Sequence, residues 1–220
     1  MQAVAIDNPD GKGVMTYIGG IAGVSGNGSA KTGKTFTNCI NRGAISVYNQ
    51  LPTRLGGCLG YANINPDGCE NHGKIVYYRY DPKAWKNNGG VGGVVGYMNI
   101  ETAANLTNTG GVQTTGSSPN CYTGGIIGHE GGNMTTMVGC KVGKSGINIV
   151  GAGAHAFGST CAGLFVATKT AKEWTFTDCK VITGTKCQSE PVTDENMAIA
   201  VVGRNHATAT NGLPELVTSF

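Results

Sequence analysis

A five-residue pattern, two glycines, two apolar residues and a small residue, recurs at nearly constant spacing. It reads GGIAG at 19–23, GGCLG at 56–60, GGVVG at 92–96 and GGIIG at 124–128, with looser copies AGLFV at 162–166 and IAVVG at 199–203. The second small residue of each copy is Gly20, Gly57, Gly93, Gly125, Gly163 and Ala200, so successive copies are offset by 37, 36, 32, 38 and 37 residues. A unit of this length cannot bury an apolar face by itself, and a fixed period of this size is the mark of stacked repeats.

A second element lies between the copies: TFTNCINRGAI around Cys39, DGCENHGKI around Cys69, NLTNTGGV around Leu106, VGCKVGKSGI around Cys140 and TFTDCKVITG around Cys179. The residue before each of these positions is Asn38, Gly68, Asn105, Gly139 or Asp178, the residue types that best tolerate positive φ, which predicts a turn at the same place in every repeat. In the first three copies an Asn follows (Asn41, Asn71, Asn108) and then a Gly (Gly43, Gly73, Gly110), whereas Val142 and Val181 replace the Asn in the last two. Each unit offers three short strand candidates and no helix longer than a turn or two. The expectation is an all-β chain, a β-solenoid of five to six coils with a repeat near 36 residues, in which equivalent positions lie over one another about 4.8 Å apart. The alternative is a sandwich or barrel, which would not require the period. Residues 1–13 are expected to close a preceding repeat or form a cap, 14–203 to form the solenoid and 204–220 to form a C-terminal cap or tail.

Composition narrows the function. Gly is 37 of 220 residues without the three-residue period of collagen, and 40% apolar content is too high for disorder. Charged residues are 13% and the net charge is +3, with no basic run longer than two residues, so no nucleic-acid partner is expected. No apolar stretch approaches the roughly 20 residues of a membrane span.

GSAKTGKT at 28–35 fits the phosphate-binding pattern G-x-x-x-x-G-K-[ST], yet such a loop requires a helix immediately after it. FTNCINRGAISVY follows instead, with Gly43, Asn38 and Asn41 and no helical spacing of apolar residues. By alignment of KTFTNC with EWTFTDC, Thr35 is expected to begin a strand and residues 25–34 to form a loop. The four His are far apart, and GHEGGN around His129 lacks the second His of a zinc-peptidase helix, so His129 is read as an exposed turn residue. There is no C-x-x-C. No carboxylates occupy one strand position in consecutive coils, so neither catalytic residues nor a metal or other cofactor is expected.

The units resemble the GLUG motif, a Gly-apolar-apolar-Gly repeat followed by a strand ending in N-C-x-N-x-G. The matching stretches are GGIAG with FTNCINRGAI, GGCLGYA with GCENHGKI, GGVVGYM with NLTNTGGV, and GGIIG, over roughly residues 14 to 185. That family occurs in large bacterial surface proteins, adhesin-like proteins and some secreted peptidases. The resemblance implies an extracellular or cell-surface structural or adhesive module that is not an enzyme, with a glycan or a protein on another surface, or further repeats, as partner. The alternative is a carbohydrate-binding or carbohydrate-active β-helix domain.

One segment departs from the repeat. YYRYDPKAWKN at 77–87 gathers three Tyr, a Trp and three cations into a loop, and Tyr78, Tyr80 and Trp85 are the candidate binding residues. The competing reading is an aromatic ladder that shields a solenoid edge.

Cys39, Cys69, Cys140 and Cys179 share a position with Leu106, and exchange with Leu suits a buried apolar slot rather than a disulfide partner. Cys58 falls in an apolar slot of the glycine pattern, while Cys121, Cys161 and Cys187 have no assignment. Denatured, unreduced protein should therefore titrate with at least four free thiols, and complete protection from alkylation would point to a ladder of disulfides.

Overall fold

In the computed structural model the chain winds as a β-solenoid with parallel sheets. The structure describes residues 2–3, 15–25, 31–49, 52–79, 89–115, 121–131, 134–151, 162–168, 173–203 and 209–220. A coil contains five strands rather than the three expected, as Thr53–Gly56, Leu59–Ala62, Ile64–Asp67, Glu70–Asn71 and Ile75–Arg79 illustrate. These define five faces, numbered here in that order. Each strand pairs in parallel with its counterparts in the preceding and following coils, building sheets of five to seven strands. From the Thr16–Gly19 strand to Ala162–Gly163 the chain makes about four turns, slightly fewer than the five to six coils expected. Gln2–Ala3 adds in parallel at one edge of the fifth face, and Ala209–Asn211 and Glu215–Val217 extend the third and fourth faces at the other end.

The repeated glycines are explained by close approach. A Cβ on Gly57 would overlap both the Gly93 carbonyl and the Asn71 side-chain amide. Gly93 has the same relation to Gly125 and Asn108. The second glycine of the pattern and the Asn that follows half a coil later are thus two halves of one contact. Where Val142 replaces the Asn, its methyl group takes the place of the amide against Gly125.

The Asn residues also bond to one another. Asn41 Nδ2 donates to Asn71 Oδ1 at 2.7 Å, and Asn71 Nδ2 donates to Asn108 Oδ1 at 2.7 Å. Each Nδ2 donates in addition to the carbonyl of the glycine two residues on, Gly43, Gly73 or Gly110. Asn71 and Asn108 are fully buried, so this satisfied ladder runs inside the coil wall.

All five expected turn residues have positive φ: Asn38 at 53°, Gly68 at 63°, Asn105 at 54°, Gly139 at 60° and Asp178 at 52°. Along the solenoid axis a side chain alternates with a glycine. A Cβ on Gly68 would collide with Asn38 Oδ1, and one on Gly139 with Asn105 Oδ1. Each Asn side chain therefore occupies space that the glycine of the next coil leaves open.

The interior is apolar and continuous, with Leu55, Leu59, Val95, Leu106, Ile126, Phe165 and Trp174 among its fully buried residues. Cys69, Leu106, Cys140 and Cys179 stack in it, and the described cysteines are free thiols. At the C-terminal end the antiparallel strand Glu190–Pro191 closes the fifth face. The one-turn helix Met197–Ala200 packs there too, Ala200 O accepting from Leu164 N at 2.8 Å.

Two expectations change. The strand of the first coil begins at Lys31, not Thr35, and runs to Thr37, with a register shift between Lys31 and Thr35 against its neighbour that absorbs the extra residues. No helix follows, so the phosphate-loop geometry is absent. Tyr77 and Tyr78, read as part of a loop, belong to the Ile75–Arg79 strand, because their alternation places Tyr77 inward and Tyr78 outward.

Replacing Asn71 with Ala should lower the unfolding free energy by about 1 to 3 kcal/mol, since it leaves one Asn41 Nδ2–H unpaired and removes one of the two bonds to Asn108 Oδ1. The same change at Asn41, at the end of the ladder, should cost less. Urea denaturation of the two variants measures the difference.

Candidate functional site

The fifth face brings Tyr78 beside Tyr48, its register partner in the preceding coil. Their ring centroids are 4.7 Å apart and the planes 1° from parallel. Both stay open to solvent, Tyr48 at 49% and Tyr78 at 40% exposure. The next residue in this column is Thr115, whose hydroxyl donates to Tyr77 O at 3.4 Å. Among the described residues the ring ladder therefore stops after two members, Thr115 rather than a third ring following Tyr78 in the column. Tyr80 and Trp85 lie outside the described residues, so the structure brings together Tyr78 and a residue that sequence reasoning missed. Tyr48 was legible only through its place one repeat before Tyr78.

A second cluster spans the first two faces. Arg54 points its guanidinium at the rings of Tyr17, Tyr61 and Tyr97, with Cζ 5.5, 4.8 and 3.6 Å from their centroids. Tyr61, Tyr97 and His129 are register partners in successive coils. His129 is buried in the Ile127–Glu130 strand, which corrects its reading as an exposed turn residue. The reason is Gly90: a side chain there would come within 2.9 Å of His129 Cβ, so its absence admits the imidazole into the cleft. Tyr122 then stacks on His129 at 4.3 Å and 9°. Beside it the buried Glu130 carboxylate accepts from Thr168 Oγ1 at 2.8 Å. Burial raises the Tyr97 hydroxyl pKa, and the neighbouring Arg54 charge opposes that rise. The cluster joins faces by cation–π contact and stacking.

The fourth face carries a carboxylate, an imidazole and a hydroxyl in line. Glu70 Oε2 is 2.9 Å from His72 Nε2, and His72 Nδ1 is 2.7 Å from Thr109 Oγ1. A nucleophile in this arrangement also needs backbone donors aimed at a developing oxyanion. Thr109 N already donates to Asn71 O and Gly110 N to Asn108 Oδ1. Those two neighbouring donors are committed to the coil wall, and the His72–Thr109 bond ties two coils at the surface.

Among the described residues no three His, Cys, Asp or Glu side chains converge on a point that could hold a metal. No described helix is long and apolar enough to cross a membrane. Burial raises the Cys58 thiol to about 12 and the Cys187 thiol to about 12, whereas the hydrogen bond with Cys140 lowers Cys179. Cys140 is raised well above its ordinary value, first by its hydrogen bond with Cys179 and then by burial.

Comparison of the chain with protein-family models, with curated proteins and with solved structures returned no match.

Cys58 and Cys187 ionise near 9.0 when unfolded and near 12 when folded, so between these values the unfolded chain releases its protons first. Stability should be intact below pH 9 and fall as pH rises toward 12. Thermal melts across that range should show the decline, and the Cys58→Ala/Cys187→Ala variant should lose less of its starting stability.

Proposed function

We propose that this chain is a non-catalytic structural and adhesive module of an extracellular or cell-surface protein, which makes contact through the outer side of its fifth face. The observation that carries this reading is the exposed Tyr48–Tyr78 pair, held on a sheet whose neighbouring strands are hydrogen-bonded to one another from coil to coil. Rigid aromatic side chains lose little entropy on contact and bring large apolar area to a partner. A stack of coils tied by backbone bonds and by the Asn ladder resists local opening, which suits a part that transmits load. The GLUG-like units of the sequence agree with this setting, and the expected partner is a glycan or a protein on another surface.

The second reading is a carbohydrate-active domain, favoured by the Glu70–His72–Thr109 line. The committed backbone donors beside Thr109 weigh against it.

Beads coated with the chain should be retained under flow on mucin-coated or epithelial surfaces. The Tyr48→Ser/Tyr78→Ser variant should lose about tenfold in affinity, equivalent to about 1.4 kcal/mol, with its melting temperature little changed. Retention no better than that of an inert protein, or unchanged in the variant, would overturn the adhesive reading. Release of reducing ends from a polysaccharide, abolished by His72→Ala, would establish the second reading instead.

A further inference from the structure

The residue just before each inward-facing Ile, Val or Cys of the fifth face lies on the outer surface of the coil, and in successive coils this column reads Lys74, Gly111, Asn148 and Lys186. The backbone is continuous there, with Ile75 N donating to Gly111 O at 2.9 Å and Lys186 N to Ile147 O at 2.9 Å. Two lysines thus stand three coil spacings apart, roughly 14 Å between their Cα atoms. Both are exposed. Between them Gly111 has no side chain, and a groove of about 450 Å³ opens along the axis, with Lys74, Gly111, Gln113, Asn148 and Ser189 in its lining.

The lining combines Lys74, Gln113, Asn148 and Ser189 with the apolar Ile147 and Val150, and Lys186 stands just outside it, one coil beyond Asn148 in the same column. No carboxylate lines the groove. The nearest described one along the chain is the exposed Glu190, which follows Ser189 and opens the capping strand. Asn148 and Ser189 hold each other across one coil spacing, Asn148 Nδ2 donating to Ser189 Oγ and Ser189 N to Asn148 Oδ1, both at 3.1 Å. This fixes an amide and a hydroxyl side by side at one end of the groove. The Gln113 amide has no hydrogen-bond partner within the described chain, so its donors and its acceptor face the groove uncommitted.

We propose that this groove binds an acidic polysaccharide, with Lys74 and Lys186 meeting its carboxylates and Gln113, Asn148 and Ser189 its hydroxyls. A pyranose residue advances along a polymer by about one strand spacing, roughly 5 Å, so a chain laid along the axis meets a new coil at each sugar. Two ammonium groups separated by neutral hydrogen-bonding groups complement a polymer that carries charge at intervals rather than on every atom group. An extended peptide is a poorer fit. Peptides of that kind add to an open strand edge, and the fifth-face strands under the groove are already paired on both sides by the adjacent coils.

The inference shares with the adhesive reading only the idea that this face meets an outside ligand, and different residues carry it. Gly111 supplies a selective probe, because a Cβ built there meets nothing closer than Asn148 O at 3.5 Å, an ordinary contact. Gly111→Leu should therefore fold while filling the groove. Gly111→Ala is a milder control for folding.

The test is equilibrium binding of the whole chain to polygalacturonate, alginate and hyaluronate, with uncharged dextran for comparison. The expected result is saturable binding to at least one acidic polymer and none to dextran. Lys74→Gln and Lys186→Gln should each weaken that binding by about tenfold, and Gly111→Leu should abolish it with an unchanged circular dichroism spectrum. Absence of binding to all three acidic polymers, equal binding to dextran, or undiminished binding by a folded Gly111→Leu protein would overturn the proposal. Should Gly111→Leu not fold, Gly111→Ala with both lysine changes replaces it, and retained affinity there has the same meaning. Groove binding by a protein that fails the bead assay would leave this site standing and remove only the adhesive reading.

Discussion

Everything in this molecule depends on parallel coils lying in strict register, because a strand of two to seven residues has no stability except through the coil on either side. Backbone bonds set the spacing but would tolerate a slip of one coil position against the next. Side chains remove that freedom. The Asn41–Asn71–Asn108 amides can bond to one another only when equivalent positions coincide, and the opposing glycines Gly57 and Gly93 accept those amides only in the same alignment. A shift by one residue would bury unpaired amides and drive apolar side chains outward together. The register also creates the outer surfaces. The Tyr48–Tyr78 pair, the Glu70–His72–Thr109 line and the Lys74–Lys186 column are each assembled from residues about one repeat apart or more, and none exists within a single coil.

The sequence disclosed those features that one residue type must supply at one backbone position. Positive φ admits few residues, so Asn38, Gly68, Asn105, Gly139 and Asp178 marked their turns, and the Leu106 substitution marked the buried cysteine column. The division of a coil into five strands was not legible, since strands such as Glu70–Asn71 and Lys141–Val142 are too short for alternation to register. His129 was misread for a related cause: nothing local announces burial, which comes from the missing side chain of Gly90 across the cleft. The groove escaped notice because Gly111, Gln113, Asn148 and Ser189 look like ordinary loop and strand residues until the coils are superposed. Of the three aromatic residues singled out, only Tyr78 falls among those described.

The two interior columns work by different physics. In the Asn column every coil needs its neighbour's amide, so the energy is cooperative and one deletion is felt in three coils. In the cysteine column Sγ atoms bond weakly to backbone carbonyls, as Cys69 does to Phe36 O at 3.2 Å and Cys179 to Met137 O at 3.4 Å, and Leu106 takes the place without loss of packing. The first column specifies alignment and the second fills volume. That difference accounts for where the repeat decays: once Val142 and Val181 end the amide ladder, Gly143 and Gly146 turn the chain differently, and the later coils are held by apolar packing and the terminal cap.

At the positive-φ corner alone, the alternation of a side chain with a glycine gives a local period of two coils, while the glycine pattern repeats in every coil. Asn38 reaches over Gly68 and Asn105 over Gly139, so loss of the single coil containing Gly68 would set Asn38 directly beneath Asn105, with two carboxamides contending for one vacancy. Removing or duplicating two adjacent coils preserves the sequence of large and absent side chains. At this corner the chain is therefore more tolerant of a change of two adjacent coils, roughly 70 residues, than of one.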